Sequence, residues 1–193
     1  AIAARPTKGV WDRIQAARDR LVIALAFQTG LRASELAELA WGDFERRTGR
    51  HGQYWVVVVR HESGGDEQDV PCDNAMAELA TFRCLLGLSP EPRRTDTTAV
   101  IPAVPGGKRH SNTTHDALSL QRRLMRPVAT RHGVYHIVRR AFTEAAEQLL
   151  AKGEITLADK LQRASTQWLR HTTAAQLLRA DGTMTGVQRV LRR

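Results

Sequence analysis

Apolar residues recur at near-helical spacing early in the chain. Trp11, Ile14, Ala17, Leu21, Ile23, Ala24 and Leu25 predict a helix over residues 10–27. A short helix over residues 33–40 follows, with Leu36 and Leu39 on its apolar side. From Asp43 to Cys72 the period changes. Tyr54-Trp-Val-Val-Val-Val-Arg60 is β-branched and aromatic, as a strand requires, and turn-forming stretches at residues 48–52 and 62–66 flank it. Residues 68–72 read as a return strand with Pro71 near its end, giving an antiparallel sheet of two or three strands. Asp73 is placed to cap a helix through Met76, Leu79, Phe82 and Leu85, closed by Gly87. Residues 89–112, rich in Pro, Gly, Arg and Thr, predict a long exposed loop pinned by Ile101 and Val104. A short helix is expected over residues 118–124, before Pro127. A long one follows over residues 134–150, with Ile137, Val138, Ala141, Ala145 and Leu149 inward. One more helical turn is expected at residues 157–161. The last helix starts at Ser165 or Thr166, carries Trp168, Leu169, Ala174, Ala175, Leu177 and Leu178, and stops at Gly182. The fold class is mainly α with a small antiparallel β-sheet (α+β), in a single domain over residues 1–193.

Charge narrows the partner. The 193 residues hold 29 Lys and Arg against 20 Asp and Glu, a net charge of +9. Only Lys8, Lys108, Lys152 and Lys160 are lysines. A strongly basic chain favours a polyanion, and the planar fork of arginine suits phosphate. No apolar run is long enough to span a membrane, and no secretory leader is read at the start. Cys72 and Cys84 form no metal motif; both are expected to be small core residues in a reducing cytoplasm. No cofactor and no metal are expected.

Two arginine-bearing stretches carry candidate chemistry. Ser165-Thr-Gln-Trp-Leu-Arg-His-Thr-Thr173 places Arg170 and His171 in the first turn of the last helix, if that helix starts at its Ser-Thr pair. A helix start already carries partial positive charge, so added cations there suggest an anion site; an arginine that merely covers apolar surface is the alternative. Gln28-Thr-Gly-Leu-Arg-Ala-Ser-Glu-Leu36 repeats the theme. A helix ends at Thr29-Gly30, and Arg32 stands at the mouth of the next helix with Glu35 in reach to hold it. The segments "TGLRASEL" and "WLRHTTAAQLL" resemble the two arginine boxes of the tyrosine recombinases, the phage integrase family. "RDRLVIALAFQTGLRASELAELAWGDF" and "GTMTGVQRVL" resemble the text around those boxes, so the likeness runs from about Asp19 to the last residue.

The resemblance implies a tyrosine-recombinase-like catalytic domain that binds double-stranded DNA and self-associates on it. It breaks and rejoins strands through a phosphotyrosine intermediate, as a bacterial or phage-encoded, nucleoid-associated protein of the cytoplasm. It carries the two phosphate-clamping roles onto Arg32 and Arg170. Three positions depart from the family pattern. The catalytic lysine falls near Ser63, and no lysine occurs in residues 43–72; the histidine three before the second arginine is Gln167; and a later histidine or tryptophan falls on Arg193. Gln167 can donate a hydrogen bond but cannot shuttle a proton. The tyrosine nucleophile is expected beyond residue 193, and an N-terminal DNA-clamping domain ahead of residue 1. Neither Tyr54 nor Tyr135 matches the nucleophile's place.

Arg60, Lys108, Arg109 and His171 are candidate DNA contacts. The Lys108-Arg-His110 tip reads equally as a solvated turn, and Arg139-Arg140 as a pair on DNA or in solvent. A non-cleaving DNA-binding homologue is the alternative to an active recombinase. A helix-turn-helix regulator is a third reading, and it requires Arg32 and Arg170 to lie far apart.

Overall fold

The computed structural model describes residues 9–50, 52–60, 67–103 and 130–181. Helix α1 (Val10–Thr29) is the axle. Helices α2 (Ala33–Glu38), α3 (Met76–Leu85), α4 (Arg131–Ala151) and α6 (Thr166–Asp181) all pack on it, and α5 (Ile155–Arg163) lies along α4. A helix covered from several sides buries more than one stripe, so α1 hides Ile14, Ala17, Leu21, Val22 and Leu25, and Arg18 and Asp19 as well. That polar pair is neutralised in place. The Asp19 carboxylate takes hydrogen bonds from Arg18 (2.9 and 3.1 Å) and from Arg140 of α4 (2.5 Å), while Arg18 also donates to the Pro102 carbonyl (3.1 Å).

Strands β1 (Phe44–Gly49), β2 (Gly52–Val59) and β3 (Gln68–Pro71) form an antiparallel sheet in that order. The register puts Val57 between Phe44 and Val70, a buried rung facing the same core as α1 and α3. The mainly α architecture with a three-stranded sheet is the one the residue pattern predicts. Ion pairs line both faces of the sheet away from the core, Arg47 on the face opposite Val57 and Arg46 on the same face as Val57. Arg47 bonds Asp69 (2.6 and 3.0 Å) and Glu45 (2.5 Å), and these carboxylates hold its pKa above the ordinary arginine value. Arg46 meets Glu91 (2.5 Å) and lies 4.9 Å over the Trp55 ring.

Several expectations change. Residues 89–103 of the predicted loop are fastened down. Trp41 and Gly42 N–H donate to the carbonyls of Thr98 (3.0 Å) and Asp96 (2.7 Å), and Val100 N–H donates to Leu39 (2.8 Å). Val100 and Ile101 are buried; Val104 lies outside the described residues. Asp73 does not cap α3. It sits in a 3₁₀ turn (Asp73–Ala75) and accepts from the Trp55 N–H across the sheet end (2.9 Å). Cys72 is buried as expected, which pushes its thiol up to about 12, whereas Cys84 is exposed on the outer face of α3. Ala146 is buried in α4, with Ala145 and Leu149 half-buried. The turn at residues 62–66, the helix at residues 118–124 and the stop at Gly182 lie outside the described residues.

The fastened segment also yields a stability prediction. A Cβ added at Gly42 would lie 2.5 Å from the Arg94 carbonyl oxygen and 3.0 Å from that of Asp96. Both obstacles are backbone, so the loop must move and the Gly42–Asp96 hydrogen bond must stretch. Gly42→Ala is expected to cost roughly 1–3 kcal/mol, read as a lower denaturation midpoint at unchanged slope.

Candidate active site

The site begins where α1 ends. The Thr29 hydroxyl donates back to the Leu25 carbonyl (2.6 Å) and accepts from the Leu31 N–H (3.3 Å). Gly30 then takes a left-handed conformation (φ 64°), which stops the helix and turns the chain. Arg32 is the N-cap residue of α2, in extended conformation. Its backbone N–H donates to one oxygen of Glu35 (2.7 Å) and its guanidinium to the other (3.4 Å). Glu35 therefore both closes the helix start and steadies the arginine, the holding role its spacing suggests. The Arg32 side chain is half exposed (51%).

The other wall is α6. Thr166 is its first residue, so Arg170 stands in the second turn and not the first. Neither Arg170 nor His171 lies in the first turn as expected, and the helix N-terminus does not account for their position. The surroundings of Arg170 offer a different physical basis. The Arg170 guanidinium donates to the Gly30 carbonyl (2.6 Å), just past the C-terminal end of α1. That end carries partial negative charge and unpaired carbonyls, both of which favour a cation. The same helix end that delivers Arg32 to the surface thus anchors Arg170 beside it.

Leu31, Arg32, Ala33, Thr166, Gln167, Arg170 and His171 line one open cleft of about 270 Å³. Glu35, which pairs with the Arg32 guanidinium (3.4 Å), is not among these lining residues, nor is any other carboxylate. Two guanidinium groups separated by most of the chain therefore meet at a single concave, cationic surface with hydrogen-bond donors around it. Such a surface has the chemistry to receive a multi-oxygen anion such as phosphate. It rules out the arrangement a helix-turn-helix regulator required, with the two arginines remote from each other. Among the described residues, no cluster of three or more His, Cys, Asp or Glu is placed to hold a metal ion. None of the helices there is long and apolar enough to cross a membrane.

The sequence matches the family model described as "Phage integrase family" over residues 7–192. The chain belongs to the phage integrase family. Membership brings with it DNA binding and the general activity of DNA breaking and rejoining in recombination. No curated protein matches the chain closely enough to count as a relative.

Seen on this integrase fold, the candidate residues divide. Arg32, Gln167, Arg170 and His171 come together. Arg60 does not join them. It ends the sheet's central strand held by Asp43 (2.7 Å) and Glu67 (3.0 Å), bonds that raise its pKa, Glu67 most. Ser63, Lys108, Arg109 and Arg193 lie outside the described residues. Tyr54 in β2 and Tyr135 in α4 do not line the cleft. The Arg139-Arg140 pair, expected on DNA or in solvent, is partly exposed and engaged within the fold. Arg139 donates to the Gln162 and Ala164 carbonyls (2.5 and 2.9 Å), closing the end of α5, and Arg140 pairs with Asp19. Sequence reading missed the Gly30 carbonyl and the Thr166 side chain. A backbone acceptor leaves no trace in residue identity, and Thr166 looked like a capping residue only.

Proposed function

We propose that the Arg32–Arg170 cleft holds the scissile phosphodiester of duplex DNA during site-specific recombination or integration. The observation that carries this is the meeting of the two guanidinium groups in one cleft without a lining carboxylate. Both arginines donate to the non-bridging oxygens, where charge builds as phosphorus becomes five-coordinate. A tyrosine hydroxyl, not one of the cleft residues, attacks phosphorus; one deoxyribose oxygen leaves and takes up a proton. The number of phosphoester bonds is conserved, so the strand can be resealed without an energy source. Gln167 donates to a phosphate oxygen from the position where the family pattern has histidine, and it moves no proton. His171, with Lys108 and Arg109, serves neighbouring backbone phosphates. Arg60 contributes less, because two carboxylates already neutralise it. Self-association on paired sites belongs to the same proposal.

A second reading follows from Gln167 in the cleft and the missing lysine of residues 43–72. The same surface grips DNA and cuts nothing. The experiment separates the two. Full-length protein is incubated with nicked duplexes selected by binding from a randomised pool, across a salt series. A covalent protein–DNA adduct marks the recombinase. Steeply salt-dependent binding with no adduct marks the non-cleaving form. Binding with no salt dependence, or none at all, would reject both.

A further inference from the structure

Thr173 is buried (2% exposed) in the middle of a helix, where a β-branched residue with a hydroxyl is a poor choice on propensity alone. Its Oγ1 lies 2.5 Å from the Phe27 carbonyl of α1 and 3.0 Å from the Leu169 carbonyl of its own helix. Phe27 is among the last residues of α1. The N–H that would serve its carbonyl in a longer helix is that of Leu31, which is turned to the Thr29 hydroxyl instead. The Phe27 carbonyl is thus one of the acceptors every helix end leaves open, and Thr173 supplies its donor. Three residues earlier on the same face of α6, Arg170 serves the Gly30 carbonyl, three residues further along. The two bonds form a two-point clamp of opposite order: Arg170 on the later carbonyl, Gly30, and Thr173 on the earlier one, Phe27.

Two points fix what one cannot. A single bond leaves α6 free to roll about its axis, and one residue of slippage turns a helix by about 100° and shifts it by about 1.5 Å. Either movement would swing the Arg170 guanidinium out of the cleft it shares with Arg32. We propose that Thr173 is a positioning residue: its hydroxyl sets the register of α6 against α1, so that Arg170 meets the phosphate beside Arg32. This rests on the phosphate-binding reading of the cleft, and the test keeps the two apart.

The test compares Thr173→Val, Thr173→Ala and Thr173→Ser in the full-length protein, each alone and combined with Arg170→Ala. Duplex-DNA affinity and its salt slope are measured well below each variant's unfolding temperature. Thr173→Val is expected to weaken binding about tenfold, the scale of one hydrogen bond to a charged group, and to lower the salt slope by about one phosphate. Thr173→Ser should behave as the parent. Added to Arg170→Ala, Thr173→Val should cost almost nothing further, since both remove the same contact. Thr173→Ala reads the same effect if the valine variant does not fold. Fully additive losses, or a lowered unfolding temperature with unchanged affinity and slope, would reduce Thr173 to a stability role and overturn the proposal. If Arg170→Ala itself left binding and slope untouched, the phosphate reading of the cleft would fall first.

Discussion

Arg170→Ala is expected to lower the rate of covalent adduct formation by about 10²–10³-fold, the usual loss when one preorganised donor to a transition-state oxygen is removed. Affinity for duplex DNA should fall much less, because one phosphate contact is lost among several; the salt slope should drop by about one. Arg170→Lys is the informative companion. It keeps the charge but not the fork, so the guanidinium's bond to the Gly30 carbonyl and its donation to phosphate cannot both be reproduced. The lysine variant is therefore expected to recover most of the affinity and little of the rate. Single-turnover adduct assays on nicked duplex, beside binding isotherms at several salt concentrations, read both. Recovery of the rate along with the affinity in the lysine variant would mean that Arg170 acts as a general cation. The alanine variant also gives up a hydrogen bond worth about 1 kcal/mol of stability, so thermal unfolding belongs in the same experiment.

Much of this architecture was legible in the residues, for reasons that can be named. Helix α1 announced itself because Ile14, Ala17, Leu21 and Leu25 recur at helical spacing and Gly30 marks its end. Strand β2 stood out because four consecutive valines suit a strand buried on both faces. What failed were readings in which a side chain could be served by more than one partner. Asp73 has the chemistry of a helix cap, yet the nearest open donor is the Trp55 N–H on another strand. Residues 89–103 are the mostly exposed loop their composition predicts, pinned at Ile101, but the bonds from their carbonyls to the N–H groups of Trp41 and Gly42 could not be read from it. Arg139 and Arg140 look like a pair on DNA or in solvent; both bond within the fold, although Arg140 stays 39% exposed. The cleft itself shows the same boundary. The identity of its two arginines came from their sequence neighbourhoods. The second-turn place of Arg170 follows from a helix that starts at Thr166, but the helix-end carbonyl that aims it belongs to packing between distant segments, which no local pattern encodes.

Asp19 is where that internal use of charge should matter most. Its side chain is 1% exposed, and the Arg18 side chain beside it is 5% exposed. The two were taken out of water together, and Arg140 reaches in from α4 to the second carboxylate oxygen. Asp19→Ala removes the anion that two guanidinium groups share and leaves a cavity on the central helix. The expected cost is roughly 3–5 kcal/mol, the range for breaking a buried pair from one side. For a chain of this size that is about a 10 °C fall in unfolding temperature. Arg140→Ala should be far milder, within about 1 kcal/mol, because the pair it breaks is already 39% exposed on the arginine side and the Arg18–Asp19 bonds stay intact. Its loss is further offset by removal of the buried Arg140 Nε, which has no hydrogen-bond partner. Replacing both members of the α1 pair, Arg18→Met with Asp19→Leu, should recover part of the loss, since no charge is then left in the apolar interior. Chemical denaturation of the three variants decides it. Near-equal losses for Asp19→Ala and Arg140→Ala would mean that the helix-to-helix bond carries the stability, and that the burial of Arg18 beside its anion carries none.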